Sequence, residues 1–282
     1  DIKRNSKKEP VKATGLRTKK SSCYEPNQLE DFKISRGKFT NFLTCERCFY
    51  LDRVKGLDAP GTPGWSLNET TDALLKKEFD FCREMQIPHR LFISNQLNHL
   101  VPFDHPEIDA WRDSLHRGLK HRYKKTNIIL TGGVDDIWFD KISKNLIIVD
   151  YKSQAKFGNL DKVDYLEDPY HHNYKIQIDF YAYILQNMGF DINKKAYFLV
   201  CNAKRDSNEF NKKMAFDEYL VPYNWDANWI EKEIDKMIQV LNNNNIPESN
   251  SSCKNCAYSE QYAKTIYKEL DNKNEELQGS LF

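Results

Sequence analysis

The sequence lacks long apolar runs, a strong net charge and an even set of cysteines, and each absence excludes a class of protein. No run of about 18 apolar residues is present, which excludes a membrane-spanning helix. The N-terminal segment DIKRNSKKEP has no apolar stretch typical of a signal peptide, so we expect a cytoplasmic protein without membrane contact. At a net charge of +1, any contact with nucleic acid must come from local basic patches.

Composition and periodicity divide the chain into three parts. Residues 1–33 are rich in Lys, Arg, Ser and Pro without apolar periodicity, which predicts a flexible basic arm. Residues 34–262 carry the alternating helical and strand patterns of an α/β domain, and residues 263–282 form a charged tail.

Within this domain the spacing of apolar residues predicts several helices and strands. Ser66 is the expected N-cap of a helix over residues 67–85, whose buried stripe is Leu74, Leu75, Phe79 and Cys82. Further helices are expected over residues 107–123, 174–188 and 225–241, and strands over 127–140 (interrupted at Gly132-Gly133), 145–154 and 194–203. Residues 86–105 and 157–170 are expected to be irregular.

Carboxylates and a lysine lie on two of the predicted strands. Asp135 and Asp136 are in the first, and Asp150 and Lys152 are in the second. Because residues i and i+2 of a strand point to the same face, the side chains of Asp150 and Lys152 should project together, and a hairpin would bring Asp135 or Asp136 beside them. Two carboxylates and the carbonyl oxygen of Tyr151 suit Mg²⁺ or Mn²⁺, and the lysine could hold or deprotonate an attacking water. These groups together describe metal-assisted phosphodiester hydrolysis.

A D-x-K pair in a strand also occurs by chance, and the alternative is an edge strand with solvated charges. Here the apolar run LIIV leads directly into Asp150, which favours a central strand that ends at a site.

The motifs GGVDD, VDYK and, on the following helix, QIDFY resemble the RecB-like branch of the PD-(D/E)xK nucleases. In that branch a G-x-x-D strand precedes a (D/E)xK strand and a helix with QxxxY. The resemblance implies a catalytic set consisting of Asp135, Asp150, Lys152, Gln177 and Tyr181. The implied metal ligands are Asp135, Asp150 and the carbonyl of Tyr151, with Asp136 as a second candidate because the aspartate is doubled. Gln177 and Tyr181 lie four residues apart, on one helical face.

The resemblance also implies the fold and the substrate class. We expect a restriction-endonuclease-like α/β core over residues 34–262, with a mixed central sheet flanked by helices. We expect a Mg²⁺- or Mn²⁺-dependent hydrolase of single- or double-stranded DNA, in repair, recombination or defence. A helicase or recombination partner is common among relatives, and this chain contains no GxxxxGK[ST] phosphate loop. The alternatives are a catalytically inactive nucleic-acid-binding protein with a structural Zn²⁺ or iron–sulfur site, and a Zn²⁺-dependent binding module whose carboxylates are surface charge.

Many relatives carry a histidine ligand on an upstream helix, and the corresponding segment LNETTDALLKKEFD has none. Asp72 or Glu78 could replace it, with Asp72 as the candidate metal ligand, and the alternative is that this ligand is absent. His116 and His121 lie on a different predicted helix. Beside them is a basic cluster that could contact phosphate or form a solvated face, consisting of Arg117, Lys120, Arg122, Lys124 and Lys125.

Two CxxC pairs, Cys45–Cys48 and Cys253–Cys256, flank the catalytic motifs. Four thiolates suit a tetrahedral Zn²⁺ ion or a [4Fe–4S] cluster, and free thiols are the alternative. RecB-like nucleases of the AddB and CRISPR-associated iron–sulfur types join the two ends of the nuclease domain with four cysteines, one N-terminal and three C-terminal. The resemblance therefore implies a [4Fe–4S] cluster, with Zn²⁺ as the alternative, although the cysteines here are arranged two and two. Either metal group would clamp the ends of the domain together.

Overall fold

The computed structural model describes residues 2–61 and 64–279, which form helices and strands in a mixed order. In chain order these are β1 (Phe32–Ser35), α1 (Arg36–Thr44), α2 (Glu46–Arg53), α3 (Ser66–Met85), α4 (Arg90–Ser94), β2 (Leu100–Pro102), α5 (Ile108–Arg112), β3 (Leu119–Arg122), β4 (Ile128–Gly132), β5 (Asp136–Asp140), β6 (Leu146–Gln154), α6 (Lys162–Glu167), α7 (His172–Asn187), β7 (Lys195–Ala203), β8 (Phe216–Asn224), α8 (Ile230–Leu241) and α9 (Lys254–Gly279). Within the described ranges, every helix is too short or too polar to cross a lipid bilayer.

The described chain divides into two compact units. The first unit consists of residues 2–29, 37–61 and 233–279, and it contains the four cysteines of the CxxC pairs. The second unit consists of residues 30–36 and 64–232, and it contains the strands and the candidate catalytic residues.

Two sheets make up the β structure of the second unit. The five-stranded sheet has the order β2-β5-β6-β7-β8, in which β6 and β7 are parallel and the other neighbours are antiparallel. The three-stranded sheet has the order β1-β4-β3, with β1 parallel and β3 antiparallel to β4. The prediction of an α/β fold with a mixed central sheet flanked by helices is confirmed.

The predicted strand over residues 127–140 consists of two strands that belong to different sheets. Strand β4 ends at Gly132, and β5 begins at Asp136 after three residues outside regular structure. The interruption expected at Gly132-Gly133 is the point where the chain leaves the three-stranded sheet and joins the five-stranded one.

Strand β6 is the middle strand of the five-stranded sheet, and both of its faces are covered. On one face Ile147, Val149 and Tyr151 pack in an apolar cluster with Phe79 of α3. The alternate residues, among them Asp150, face α7, where residues 176–185 are all buried. The C-terminal end of β6, which carries Asp150 and Lys152, therefore lies between α3 and α7. These two helices shield the rest of the strand from water.

Several local predictions are wrong, and the clearest is the helix over residues 107–123. The structure has the short helix α5 followed by β3, which pairs with β4. Gly118 between them has φ +63°, and a Cβ there would lie 2.4 Å from the carbonyl oxygen of Gly132. Hairpin pairing with the following strand therefore overrides the helical spacing of the apolar residues.

The other corrections are smaller. Leu74 is 55 % exposed and does not belong to the buried stripe of α3, and Ser66 is the first residue of that helix, whose N-cap is Trp65. Residues 86–105 contain α4 and β2, residues 157–170 contain α6, and β8 has no counterpart among the predicted strands.

Candidate active site and four-cysteine site

The side chains of Asp150 and Lys152 meet near the C-terminal end of β6. The Lys152 ammonium forms an ion pair with Oδ2 of Asp150, which is fully buried. The same ammonium lies 4.5 Å from the ring centroid of Tyr174, a favourable contact between a cation and an aromatic face. The lysine is thus held between a carboxylate and an aromatic ring while remaining partly accessible.

Asp135 lies just before β5 and reaches the same end of β6. Its Oδ2 accepts a hydrogen bond of 2.7 Å from the backbone N–H of Tyr151. Burial and the negative charge of Asp150 raise the pKa of Asp135 to about 7, against the opposing charge of Lys152. Two such carboxylates repel each other unless a proton or a cation offsets their charge. The pair therefore has the electrostatics of a cation site.

Asp136 is directed away from this pair and is fully buried in an ion-pair network. Its Oδ1 accepts hydrogen bonds from Arg83 at 2.7 Å and Arg112 at 2.8 Å, and its Oδ2 accepts one from the Tyr151 hydroxyl at 2.9 Å. Although burial opposes it, the two guanidinium groups lower the pKa of Asp136. Both carboxylate oxygens of Asp136 therefore already have protein partners, whereas Asp135 lies beside Asp150.

Gln177 and Tyr181 lie one turn apart on α7 and approach Asp150. The Gln177 side-chain amide donates to Oδ1 of Asp150 at 2.5 Å and lies 3.4 Å from the Tyr181 hydroxyl. Burial raises the pKa of Tyr181 to about 12, against the effect of Arg36, so the hydroxyl keeps its proton. The Tyr181 ring fills the space beside Gly132, where a Cβ would lie 2.5 Å from Cε1 of the tyrosine.

A third carboxylate, Asp72 on α3, lies close enough to the site to interact electrostatically with Asp135. Burial and the negative charge of Asp135 raise the pKa of Asp72. The Lys76 ammonium, 2.8 Å away, opposes this rise. Glu78, the other upstream candidate, instead accepts hydrogen bonds from Arg90 at 3.0 Å and lies 3.2 Å from a ring nitrogen of His89. Asp72 is therefore the upstream carboxylate that faces the pair.

The basic cluster is distributed differently from the prediction, because His121 lies on β3 and His116 in the preceding loop. Three of its cations already pair with carboxylates, in the pairs Arg117–Asp113 (3.1 Å), Arg122–Asp31 (2.6 Å) and Lys124–Glu231 (3.1 Å). These pairs reduce the charge that the cluster could present to phosphate.

Lys76, Tyr174 and Arg36 also contact the site, and none of them belongs to the motifs. Lys76 follows Asp72 by four residues, the spacing of an ion pair on a helix, so this signal is present in the sequence. Arg36 begins α1 and is distant in sequence from its partner Tyr181, and no local pattern indicates it.

In the first unit the four CxxC cysteines converge, and none of them forms a disulfide. The sulfur atoms lie 3.7 Å apart for Cys45–Cys256, 3.6 Å for Cys48–Cys253 and 3.4 Å for Cys48–Cys256, and all four fall within 4.8 Å of one another. Burial alone would raise the pKa of Cys45, but hydrogen bonds to its sulfur, led by the backbone N–H groups of Cys48 and Asn250, lower it to about 7. This cluster has the composition and closeness of a metal site, as the sequence predicts.

Comparison with known proteins defines the class. Residues 66–261 match the PD-(D/E)XK nuclease superfamily, and the chain therefore belongs to that superfamily. One crystal structure to which the chain is similar, named "Putative exonuclease" and from Eubacterium rectale, has 13% identity and a TM-score of 0.41, and the match covers 85% of this chain and 88% of that one. At this level the likeness supports no conclusion about activity. No curated protein gives a significant sequence match.

Proposed function

We propose that this chain is a Mg²⁺- or Mn²⁺-dependent deoxyribonuclease of the RecB-like branch, with Asp135, Asp150 and Lys152 as its central catalytic residues. The observation that supports this most directly is the meeting of the two carboxylates at the end of β6. One is held by the backbone N–H of Tyr151 and the other is paired with the lysine. A role in DNA repair, recombination or defence, and a helicase or recombination partner, rest on the resemblance of the motifs alone.

The residues fit a hard divalent cation. The raised pKa of Asp135 reflects its partial burial and the unfavourable closeness of Asp150, and a cation would relieve this repulsion. The available oxygen ligands are Asp135, Asp150, the carbonyl of Tyr151 and, from α3, Asp72, and Mg²⁺ and Mn²⁺ prefer such ligands. When bound, the ion would polarise the phosphodiester and offset its developing negative charge.

The side chains around the carboxylates orient the reacting groups. Lys152 lies beside Asp150 and remains partly accessible, so its nitrogen can hold an attacking water within hydrogen-bond distance. Gln177 donates to Asp150 and thereby fixes which carboxylate oxygen faces the site. The Tyr181 hydroxyl lies against the Gln177 amide and, with Gly132, limits how far that helix can shift.

For the four cysteines we propose one Zn²⁺ ion, the second of the two metal groups that the sequence suggests. Thiolates bound tetrahedrally to Zn²⁺ at about 2.3 Å lie about 3.8 Å from one another. Three of the sulfur–sulfur distances, 3.4–3.7 Å, are close to this value. In a [4Fe–4S] cluster each thiolate binds a different iron, so the sulfurs must lie farther apart. The ion would hold residues 45–48 against 253–256, a structural rather than a catalytic role.

Cleavage of labelled single- and double-stranded DNA with Mg²⁺ or Mn²⁺ tests the nuclease activity, with wild type compared to Lys152→Ala and Lys195→Ala. Lys195 is an exposed lysine at the start of β7, so it is a matched control for loss of charge. We expect metal-dependent cleavage by wild type and Lys195→Ala, and a loss of about 100-fold or more in Lys152→Ala. Equal cleavage by all three proteins would contradict the proposed site. A folded, metal-replete wild type that binds DNA without cleaving it would instead identify an inactive nucleic-acid-binding protein.

A further inference from the structure

We infer that an exposed aromatic groove beside the proposed active site binds single-stranded DNA by stacking its bases, so that the enzyme acts on single strands. This inference rests on the proposed function, because it names the substrate class of that site. The aromatic groove lies in the second unit. It is formed by residues 65–71 at the start of α3, residues 153–155 at the end of β6, and residues 203–216 between β7 and β8.

The aromatic groove begins where the candidate active site ends. Ser153 and Gln154, which line it, directly follow Lys152 on β6, and Thr71, which also lines it, directly precedes Asp72 on α3. Consecutive residues lie only about 3.8 Å apart along the backbone, so the groove borders the candidate active site on both elements.

Large apolar side chains line the aromatic groove and remain exposed to water. Trp65 is 74 % exposed, Phe210 is 71 % exposed and Met214 is 47 % exposed. Single exposed apolar residues are common on protein surfaces, but here they surround one groove with a volume of about 480 Å³. A ligand with flat apolar faces would be stabilised by covering them.

Cationic side chains alternate with this apolar surface. Lys204, Arg205 and Lys213 line the groove, together with one carboxylate, Glu209, among the described lining residues. Lys204 also pairs with Asp217 at 3.0 Å. The groove thus presents both positive charge and aromatic faces to a ligand.

The Arg205 guanidinium also connects the groove to a further aromatic side chain. It lies 4.4 Å over the ring of Phe157, which is 69 % exposed. Arginine in this arrangement presents a flat cationic face next to an aromatic one, as single-strand-binding proteins do.

Single-stranded DNA has the chemistry that matches this combination. Its unpaired bases present flat faces for stacking on aromatic side chains, and its phosphates lie close enough to contact neighbouring cations. In a duplex the bases are stacked on one another inside the helix, so they cannot reach Trp65 or Phe210. The groove therefore discriminates by strandedness rather than by base sequence.

The test compares Trp65→Ala and Phe210→Ala with Phe81→Ala, an aromatic residue of α3 that is 61 % exposed and lies outside the groove. All three are made in the Lys152→Ala background, so that binding is measured without cleavage. Fluorescence anisotropy follows binding of a labelled oligo-dT strand and of a duplex of the same length. We expect both groove variants to bind the single strand about five-fold or more weakly, with Phe81→Ala and all duplex affinities unchanged. Lys213→Ala should reduce the salt dependence of single-strand binding by about one counterion.

Three results would overturn the inference. These are unchanged single-strand binding by both groove variants, an equal loss of duplex binding, or a change in oligomeric state by light scattering with no change in DNA affinity. Because binding is measured apart from cleavage, the two proposals fail separately. An inactive wild type whose groove variants lose single-strand binding would refute the nuclease assignment and keep the groove. An active wild type whose groove variants bind normally would refute the groove and keep the nuclease assignment.

Discussion

Replacing Asp135 with asparagine should stabilise the protein in the absence of divalent metal and abolish its cleavage of DNA. The pKa of Asp135 is raised from 3.8 to about 7, which means that folding removes its charge from water and places it beside the negative charge of Asp150. At 1.36 kcal/mol per pH unit this difference corresponds to an upper bound of about 4 kcal/mol. Because the side chain is partly exposed and Lys152 offsets some of the repulsion, we expect a gain of about 1–2 kcal/mol in unfolding free energy.

The sign of the pH dependence follows from the direction of this pKa shift. A carboxyl group whose pKa is raised on folding stabilises the folded state below its unfolded pKa, and that stability is lost as the pH rises through the folded pKa. Wild type should therefore lose stability at Asp135 between about pH 4 and about pH 7. Asparagine does not ionise, so the unfolding free energies of the variant and of wild type should differ least near pH 4 and most above about pH 7.

The adjacent substitution Asp136→Asn is a matched control with the opposite expectation. Asp136 is fully buried and pairs with Arg83 and Arg112, so asparagine would leave these two buried cations with only the half-exposed Asp80 as a counter-charge. Removing one partner of a buried ion pair typically costs about 3–5 kcal/mol. Since the pKa of Asp136 is lowered on folding, its contribution is present above the unfolded value of 3.8 and lost only as the pH falls below it.

Thermal or urea unfolding of wild type and both variants, at several values between about pH 4 and about pH 8 in buffer free of Mg²⁺ and Mn²⁺, measures these differences. Addition of Mg²⁺ should then stabilise wild type relative to Asp135→Asn, because only wild type retains both carboxylates for the ion. If Asp135→Asn were less stable than wild type at about pH 8 without metal, the unfavourable burial of the Asp135 charge beside Asp150 would be refuted.

Three further predictions concern packing and the metal ligands. Gly132→Ala places a methyl group against Tyr181, so unfolding free energy should fall by about 1–3 kcal/mol and cleavage should slow; unchanged values of both would contradict this close contact. Cys48→Ser should lower the zinc content per chain measured by mass spectrometry and speed hydrogen exchange in residues 45–48 and 253–256, whereas a full zinc content would exclude Cys48 as a ligand. Asp72→Asn should raise the Mg²⁺ concentration for half-maximal cleavage about tenfold, while Glu78→Gln, which alters only the contacts with His89 and Arg90, should leave it unchanged.

Where a periodic pattern lies within one element, the sequence predicts the structure well. The apolar run before Asp150 identifies β6, and two-residue alternation places Asp150 and Lys152 together. Four-residue spacing likewise places Gln177 and Tyr181 on one face of α7. The prediction of a helix over residues 107–123 fails because residues 119–122 pair with the following strand β4 in a hairpin, and this pairing overrides their helical apolar spacing.

The sequence by itself determined the superfamily motifs, the order of the elements that carry them, and the two CxxC pairs, because each of these depends on spacing within a few residues. Only the tertiary structure shows how the surroundings of the adjacent aspartates differ. Asp136 is held by arginines from α3 and α5, and Asp135 by the backbone of β6. Such contacts join residues that are distant in sequence, so their geometry arises from packing and is not encoded in any local pattern.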